Sequence, residues 1–95
     1  MAAYLIADIE VNDRDAFDAY RERVVPVVER HGGRYLVRAG AVHPLEGNLG
    51  FKRLVVLEFA SMEAARGFYD SPDYAPLLKL RADSTVSRVV LVEGC

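Results

Sequence analysis

The chain has 95 residues, of which 52% are hydrophobic and 27% charged, with a formal net charge of −2. This length suffices for one domain and is short for two, so we expect a single domain over residues 1–95. The slightly acidic balance gives no electrostatic attraction to nucleic acid or anionic lipid, and we expect neither as a partner. The only cysteine is Cys95, which excludes an internal disulfide and a multi-cysteine metal site.

The apolar pattern indicates neither a signal peptide nor a membrane span. Residues 1–6 lack the basic region and the long apolar stretch of a signal peptide. No apolar run approaches the ~20 residues that cross a bilayer. We therefore expect a cytoplasmic protein.

The first half of the chain predicts a strand, a helix and a second strand. Apolar residues alternate over residues 4–11, which is typical of a strand. Over residues 14–31 they recur at helical spacing, after Asp13 has supplied N-cap chemistry. Residues 34–39 form a second predicted strand, and Gly40 is expected to mark a bulge or bend.

The second half predicts a strand, two short helices and a last strand. Residues 53–59 form the most apolar strand, and a helix is expected over residues 62–69. Ser71 and Pro72 then predict a new helix, with Ser71 as its N-cap and Pro72 at its first position. Residues 86–93 form the last predicted strand.

The order of these elements favours an α+β fold of ferredoxin-like βαββαβ type, in which helices cover one face of a four-stranded antiparallel sheet. The uncovered face of such a sheet should be polar if it meets water. Yet the third and fourth strands are apolar on both faces. In the third strand Leu54 and Val56 lie on the face opposite Val55, Leu57 and Phe59. In the fourth strand Val90 and Val92 lie on the face opposite Val89 and Leu91. We therefore expect a homodimer in which a second copy covers the free face.

Five stretches of the chain form a recognisable pattern: residues 4–13, Gly-Gly-Arg-Tyr-Leu-Val-Arg at 32–38, and residues 58–65, 68–74 and 89–94. Together they resemble an uncharacterised bacterial family, a domain of unknown function within the dimeric α/β-barrel superfamily. The resemblance covers nearly the whole chain. It implies a ferredoxin-like fold and a homodimer whose two sheets close into a dimeric α/β barrel. It implies no catalytic residues, because the family has none assigned.

Two residues are candidates for proton transfer. Asp8 would act as a general base on an acidic C–H or a phenol if its strand face lines a cleft. The alternative is a salt bridge to an arginine on a neighbouring strand, with Arg34, Arg38 and Arg53 available. His43 lies in a predicted loop and would carry a proton if that loop folds over a pocket; otherwise it is an ordinary loop residue.

Residues on the predicted inner sides of the helices suggest a pocket with aromatic walls and a few polar tips. Within an apolar strand, the guanidinium fork of Arg38 would suit a carboxylate or an enolate. The candidate ligand-binding residues are Tyr20, Arg38, Ser71, Tyr74 and Arg81. The alternative is an ordinary core, in which Ser71 only caps a helix and Arg38 pairs with another charge.

The sequence therefore leaves three hypotheses open. The first is a homodimer that binds a small, partly apolar molecule. The second is a cofactor-independent enzyme of monooxygenase or isomerase type that uses proton abstraction, and the third is a structural or interaction dimer without a ligand. No metal or cofactor is expected, because the two histidines lack the spacing of metal or haem ligands. The first two hypotheses require an open cavity, and the third requires that space to be filled.

Overall fold

The computed structural model describes residues 1–95 and contains four strands and three helices. The strands are β1 (Ala3–Val11), β2 (Arg34–Arg38), β3 (Leu54–Phe59) and β4 (Thr85–Glu93), and the helices are α1 (Arg14–Arg30), α2 (Met62–Tyr69) and α3 (Ala75–Ser84). The strand order is β2-β3-β1-β4, and every pair is antiparallel. The predicted α+β, ferredoxin-like fold is confirmed. None of the helices has the length and apolar character needed to cross a membrane.

The ends of α1 follow the chemistry predicted from the sequence. The Asp13 side chain accepts a hydrogen bond from the backbone N–H of Ala16 at 3.1 Å, so it satisfies one of the free donors at the helix start. At the other end Gly32 has φ +76°, which glycine adopts without strain. The chain then turns into β2.

The third helix begins later than predicted. Residues 71–74 form a turn, and α3 starts at Ala75, so the expectation of a helix capped by Ser71 and entered at Pro72 was wrong. The Ser71 hydroxyl donates to the carbonyl of Phe68 at 2.9 Å and accepts from the N–H of Tyr74 at 3.1 Å. Because these bonds tie the end of α2 to the turn, the serine closes the turn instead of starting a helix.

The irregularity in β2 lies at Leu36 and not at the predicted Gly40. Against β3, Tyr35 pairs with Leu57 and Arg38 pairs with Val55, and the register shifts between them. In a regular strand two residues separated by three positions point to opposite faces. The extra residue therefore brings Tyr35 and Arg38 to the same, helix-facing side of the sheet.

The helices and one face of the sheet enclose the core. Its sheet side is formed by alternate residues of β1 and β3, which confirms the predicted strand faces. The buried apolar residues are Ala3, Leu5, Ala7, Ile9, Phe17, Tyr20, Val24, Val27, Val28, Leu57, Phe59, Ala65, Phe68, Tyr74 and Leu77.

The opposite side of the sheet, called the outer face below, has no helix over it. It carries the apolar residues Tyr4, Ile6, Leu54, Val56, Val90 and Val92. Four of its charged side chains form two ion pairs: the Arg88 Nη2 lies 2.7 Å from the Asp8 Oδ2, and the Arg34 Nε lies 2.6 Å from the Glu58 Oε1. Glu10, near the end of β1, is exposed and has no ion-pair partner. The outer face is thus mainly apolar, with two neutralised ion pairs.

Candidate functional site

A cavity of about 50 Å³ lies between the helices and the helix-facing side of the sheet. Sixteen residues line it, and 12 of them are hydrophobic. The remaining four are all arginines: Arg21, Arg38, Arg53 and Arg81. No acidic side chain contributes to the lining, so the charge of the cavity wall is entirely positive.

The inner end of the cavity is a hydrogen-bonded group of two tyrosines and an arginine. The hydroxyls of Tyr20 and Tyr74 are 2.9 Å apart, and the Arg81 Nε donates to the Tyr74 hydroxyl at 3.2 Å. Helical spacing produces this arrangement, because Tyr74 and Arg81 are seven residues apart and so share the buried side of the third helix and its entry turn. The three side chains satisfy one another inside the protein.

Burial fixes the charge states in this group. Burial, followed by the neighbouring Tyr74, raises the pKa of the Tyr20 phenol, which therefore remains protonated. Burial alone would lower the pKa of Arg81, but the adjacent phenols of Tyr74 and Tyr20 outweigh it and the pKa lies above its ordinary value. Arg81, only 6% exposed, therefore remains a cation inside the protein, and no carboxylate lies within 4.0 Å of it.

Arg53 occupies the outer part of the cavity. Its carbonyl accepts from the N–H of Ile9 at 3.0 Å, which holds the residue beside β1 just before β3 begins. The Arg53 guanidinium lies over the Phe17 ring, with 5.2 Å between the guanidinium carbon and the ring centroid. Its Nε is buried and has no hydrogen-bond partner. Burial, together with the cations of Arg21, Arg14 and Arg38, lowers the pKa of Arg53.

Arg38 and Arg21 are exposed and mark the mouth of the cavity. The Arg38 guanidinium lies over the Tyr35 ring at 4.8 Å and has no carboxylate partner. Arg21 lies 3.4 Å from Asp18, which also contacts Arg14. Of the four lining arginines, only Arg21 has a carboxylate within 4.0 Å, although the charge of Asp18 also acts on Arg53.

The structure brings together four of the five predicted ligand-binding residues. Tyr20, Arg38, Tyr74 and Arg81 line the cavity. Ser71 does not line it and instead holds the turn before α3.

Neither candidate for proton transfer lines the cavity. Asp8 lies on the outer face, where its Oδ1 accepts from the backbone N–H groups of Lys52 and Arg53 and its Oδ2 pairs with Arg88. The hydrogen bond from Arg88 is the main reason why the pKa of Asp8 lies below its ordinary value. His43 is exposed in the loop over residues 39–53.

Twelve of the sixteen cavity residues were not among the predicted site residues, and the aromatic or charged ones that bear most on binding are Phe17, Arg21, Tyr35 and Arg53. Two of the arginines could have been found from the sequence. Arg53 continues the alternation of Val55 and Leu57, and Arg21 follows Phe17 by one helical turn. Tyr35 and Arg38 share a face only because of the bulge, which carries no clear sequence signal.

The lining offers hydrogen-bond donors from arginines and hydroxyls from tyrosines. It contains no carboxylate, imidazole or thiolate, which are the side chains that hold metal ions. Elsewhere in the structure no group of three or more His, Cys, Asp or Glu residues is placed to hold one. The chemistry available in the cavity is therefore binding through positive charge, hydrogen bonds and apolar contact.

The fold and the cavity define a ferredoxin-like α+β protein with a space between its helices and its sheet. A sequence model of the family described as "Domain of unknown function (DUF1330)" matches residues 2–95, and the chain belongs to this family. The resemblance seen in the sequence is thus confirmed. No curated protein matches the sequence.

Solved structures share the fold at low sequence identity. RPA0582 from Rhodopseudomonas palustris, a protein of unknown function, is 19% identical with a TM-score of 0.77, over 99% of this chain and 82% of that one. A dimeric ferredoxin-like protein of unknown function from Jannaschia sp. CCS1 is 15% identical with a TM-score of 0.67, over 99% and 100% of the chains. SnoaB from Streptomyces nogalater, a cofactor-independent oxygenase, is 13% identical with a TM-score of 0.68, over 99% and 93%. At these identities the likeness shows the fold alone.

Proposed function

We propose that this protein is a homodimer in which each protomer binds a small, partly apolar molecule in the cavity between its helices and its sheet. The observation that carries the proposal is the cavity itself, with apolar walls and a few convergent polar groups, which is the usual composition of a ligand site. A purely structural dimer would have that space filled.

The size of the cavity limits the ligand. Its volume of about 50 Å³ is well below the ~300–1,000 Å³ of typical ligand pockets. It is also smaller than the ~150 Å³ cavity that accommodates benzene in an engineered protein. A ligand the size of benzene or larger therefore places only one end in the cavity, and the rest stays at the mouth beside Arg21 and Arg38.

The outer face supports the homodimer. Val90 and Val92 are 54% and 42% exposed there, on a sheet face that no helix covers. Contiguous apolar surface of this kind usually marks an interface. The two ion pairs on this face are already neutralised, and the unpaired Glu10 lies near the end of β1, so a second copy can pack against the apolar middle of the face without burying an unpaired charge. Some solved proteins with this fold are described as dimeric, which agrees with the proposal.

The dimer is tested by placing a charge in the middle of the outer face. Val90 pairs with Ile6 of β1, so Val90→Lys puts an ammonium group among apolar side chains. We expect sedimentation velocity to show a shift from dimer to monomer. Ala82→Lys is the matched control, because Ala82 is exposed on α3, on the other side of the sheet, and gains the same charge. A wild-type protein that sediments as a folded monomer at micromolar concentration would refute the homodimer.

Ligand binding is tested by titrating compact probes into 15N-labelled protein. Suitable probes are benzoate and butyrate with their neutral amides, benzamide and butyramide. We expect saturable chemical-shift changes at cavity residues such as Val24 and Tyr74, and none at exposed loop residues 41–50 such as Leu45. If no probe shifts the cavity resonances at millimolar concentration, the cavity is only a packing defect and the structural dimer is the better conclusion.

A cofactor-independent enzyme is the second candidate, and the likeness to SnoaB favours it at the level of the fold. Proton abstraction needs a base at the substrate, but the cavity lining contains no carboxylate or imidazole. Asp8 or His43 would serve only if the chain moved toward the cavity. An oxygen uptake rate with a dihydroxynaphthalene that exceeds the rate without protein would support the enzyme. Equal oxygen uptake rates with and without protein would contradict the oxygenase form.

The cytoplasmic location expected from the sequence remains a prediction.

A further inference from the structure

The charge of the cavity wall is unusual for an apolar space. Every charged side chain in the lining is an arginine, and three of the four have no carboxylate within 4.0 Å. Charges inside proteins are normally paired, because removing an ion from water without a partner costs several kcal/mol or more. The exception, Arg21, shares the exposed Asp18 with Arg14, which leaves the mouth with an excess of positive charge.

Arg53 shows the imbalance most directly. Its Nε is enclosed by protein and donates to no acceptor. Most buried polar atoms in folded proteins have a partner, and one that lacks a protein partner points to a strained site or to a bound water, ion or ligand. The neighbouring cations Arg21, Arg14 and Arg38 repel its charge, and an anion placed among them would remove both the repulsion and the missing hydrogen bond.

The inner end of the cavity has the same character. Arg81 is buried with the Tyr74 hydroxyl as the acceptor for its Nε, and a hydroxyl carries no charge to balance it. Apolar side chains such as Val24, Val55 and Leu57 line the same space. The cavity therefore offers cationic hydrogen-bond donors, one buried and others toward the surface, beside apolar walls.

We infer that the ligand of this cavity is a small organic anion, namely a carboxylate or an enolate on a compact apolar body, anchored by the guanidinium of Arg53. The planar fork of arginine matches two oxygens of such a group. Arg38 and Arg81 add positive potential, and the apolar walls contact the rest of the ligand. This inference rests on the proposed function, because it requires the cavity to take up a ligand.

The experiment compares each acid with its amide. Benzoate and benzamide have similar shape but differ in charge, as do butyrate and butyramide. We expect the acids to bind about tenfold or more tightly than the amides, the difference that one charge-assisted hydrogen bond of arginine gives. In the wild type, the acids should also shift the Arg53 Nε–H resonance.

Variants separate the role of Arg53 from a general effect of charge. Arg53→Gln should reduce benzoate affinity to about the level of benzamide, and Arg53→Lys should restore part of it. Arg53 is half-buried at the cavity and not in the core, so circular dichroism should show both variants folded. Arg23→Gln is the matched control: Arg23 is exposed on α1, does not line the cavity, and loses the same charge.

Each outcome decides one of the two proposals. Equal affinities for benzoate and benzamide, or equal losses in Arg53→Gln and Arg23→Gln, would overturn the anionic ligand and leave small-molecule binding intact. If neither acids nor amides bind, the proposed function fails and the anionic ligand fails with it. Preferential binding of acids that depends on Arg53 and not on Arg23 supports both.

Discussion

The Tyr74 hydroxyl is the shared partner at the inner end of the cavity, and its removal should cost more stability than removal of the Tyr20 hydroxyl. Tyr74→Phe takes away the acceptor of the Arg81 Nε and the hydrogen-bond partner of Tyr20 at once. Tyr20→Phe leaves the bond between Arg81 and Tyr74 in place. Both substitutions preserve the ring and its packing, so they differ mainly in the number of groups that they leave without a partner.

The magnitudes follow from that count. A buried group left without its partner costs about 1–3 kcal/mol, and the cost is greater when the group is charged. Tyr74→Phe orphans two groups, one of them charged, so we expect the free energy of unfolding to fall by about 2–4 kcal/mol. Tyr20→Phe breaks one bond between neutral groups and should cost about 0.5–1.5 kcal/mol.

Urea unfolding at a fixed protomer concentration measures both values, since dimerisation makes the apparent stability depend on concentration. Adding Arg81→Met to Tyr74→Phe should recover part of the loss, because it removes the orphaned charge. Equal losses in the two single variants would refute the reasoning, and would mean that water or another group satisfies Arg81 once the Tyr74 hydroxyl is gone.

Two further predictions concern the parts of the fold that support the cavity. The pKa of Asp8 is lower in the folded protein than its ordinary value of 3.8. The ionised carboxylate therefore stabilises the fold above pH 3.8, and this stabilisation is lost as the pH falls from 3.8 through the pKa of the folded state. Asp8→Asn should therefore be less stable than the wild type at pH 7, and thermal unfolding should show the difference shrinking below pH 3.8; a constant difference would contradict the assigned role. A Cβ at Gly33 would lie 2.6 Å from the Phe59 Cε1 and 2.8 Å from the Val28 Cγ1, so Gly33→Ala should destabilise by about 1–3 kcal/mol. The control is Gly67→Ala, because Gly67 is exposed on α2 and a Cβ there meets free space. It should stabilise the protein by about 0.5–1 kcal/mol. Equal urea midpoints for the Gly33→Ala and Gly67→Ala variants would refute the close packing at Gly33.

The sequence predicted most of the fold because each element carries its own pattern. The alternation along β1 marks which residues face the helices, and the structure confirms it. In β3, which is apolar on both faces, the pairing of Val55 and Leu57 with core residues of β1 sets the helix-facing side. The spacing of Phe17, Tyr20 and Val24 similarly defines the buried side of α1. These patterns are local, and burial against a single core makes them consistent with one another.

The remaining features depend on contacts that local patterns do not encode. The turn at residues 71–74 exists because the Ser71 hydroxyl bonds to both Phe68 and Tyr74, whereas Ser-Pro alone is equally typical of a helix start. From the sequence, Arg34, Arg38 and Arg53 were the candidate salt-bridge partners of Asp8. Its actual partner, Arg88, comes from β4 and is 80 residues away along the chain, so only the strand order determines the pair.

The arginines that line the cavity are not required for the stability of the fold. Replacing a buried charge by an apolar side chain of similar size is often neutral or stabilising. An apolar residue at position 81 would thus serve the core at least as well as Arg81, provided that Tyr74 kept its bond to Tyr20. Stability alone therefore gives no reason to surround an apolar space with four cations and no acid. A ligand that brings the missing negative charge accounts for Arg81, for the unpartnered Arg53 Nε and for the exposed Arg38 together.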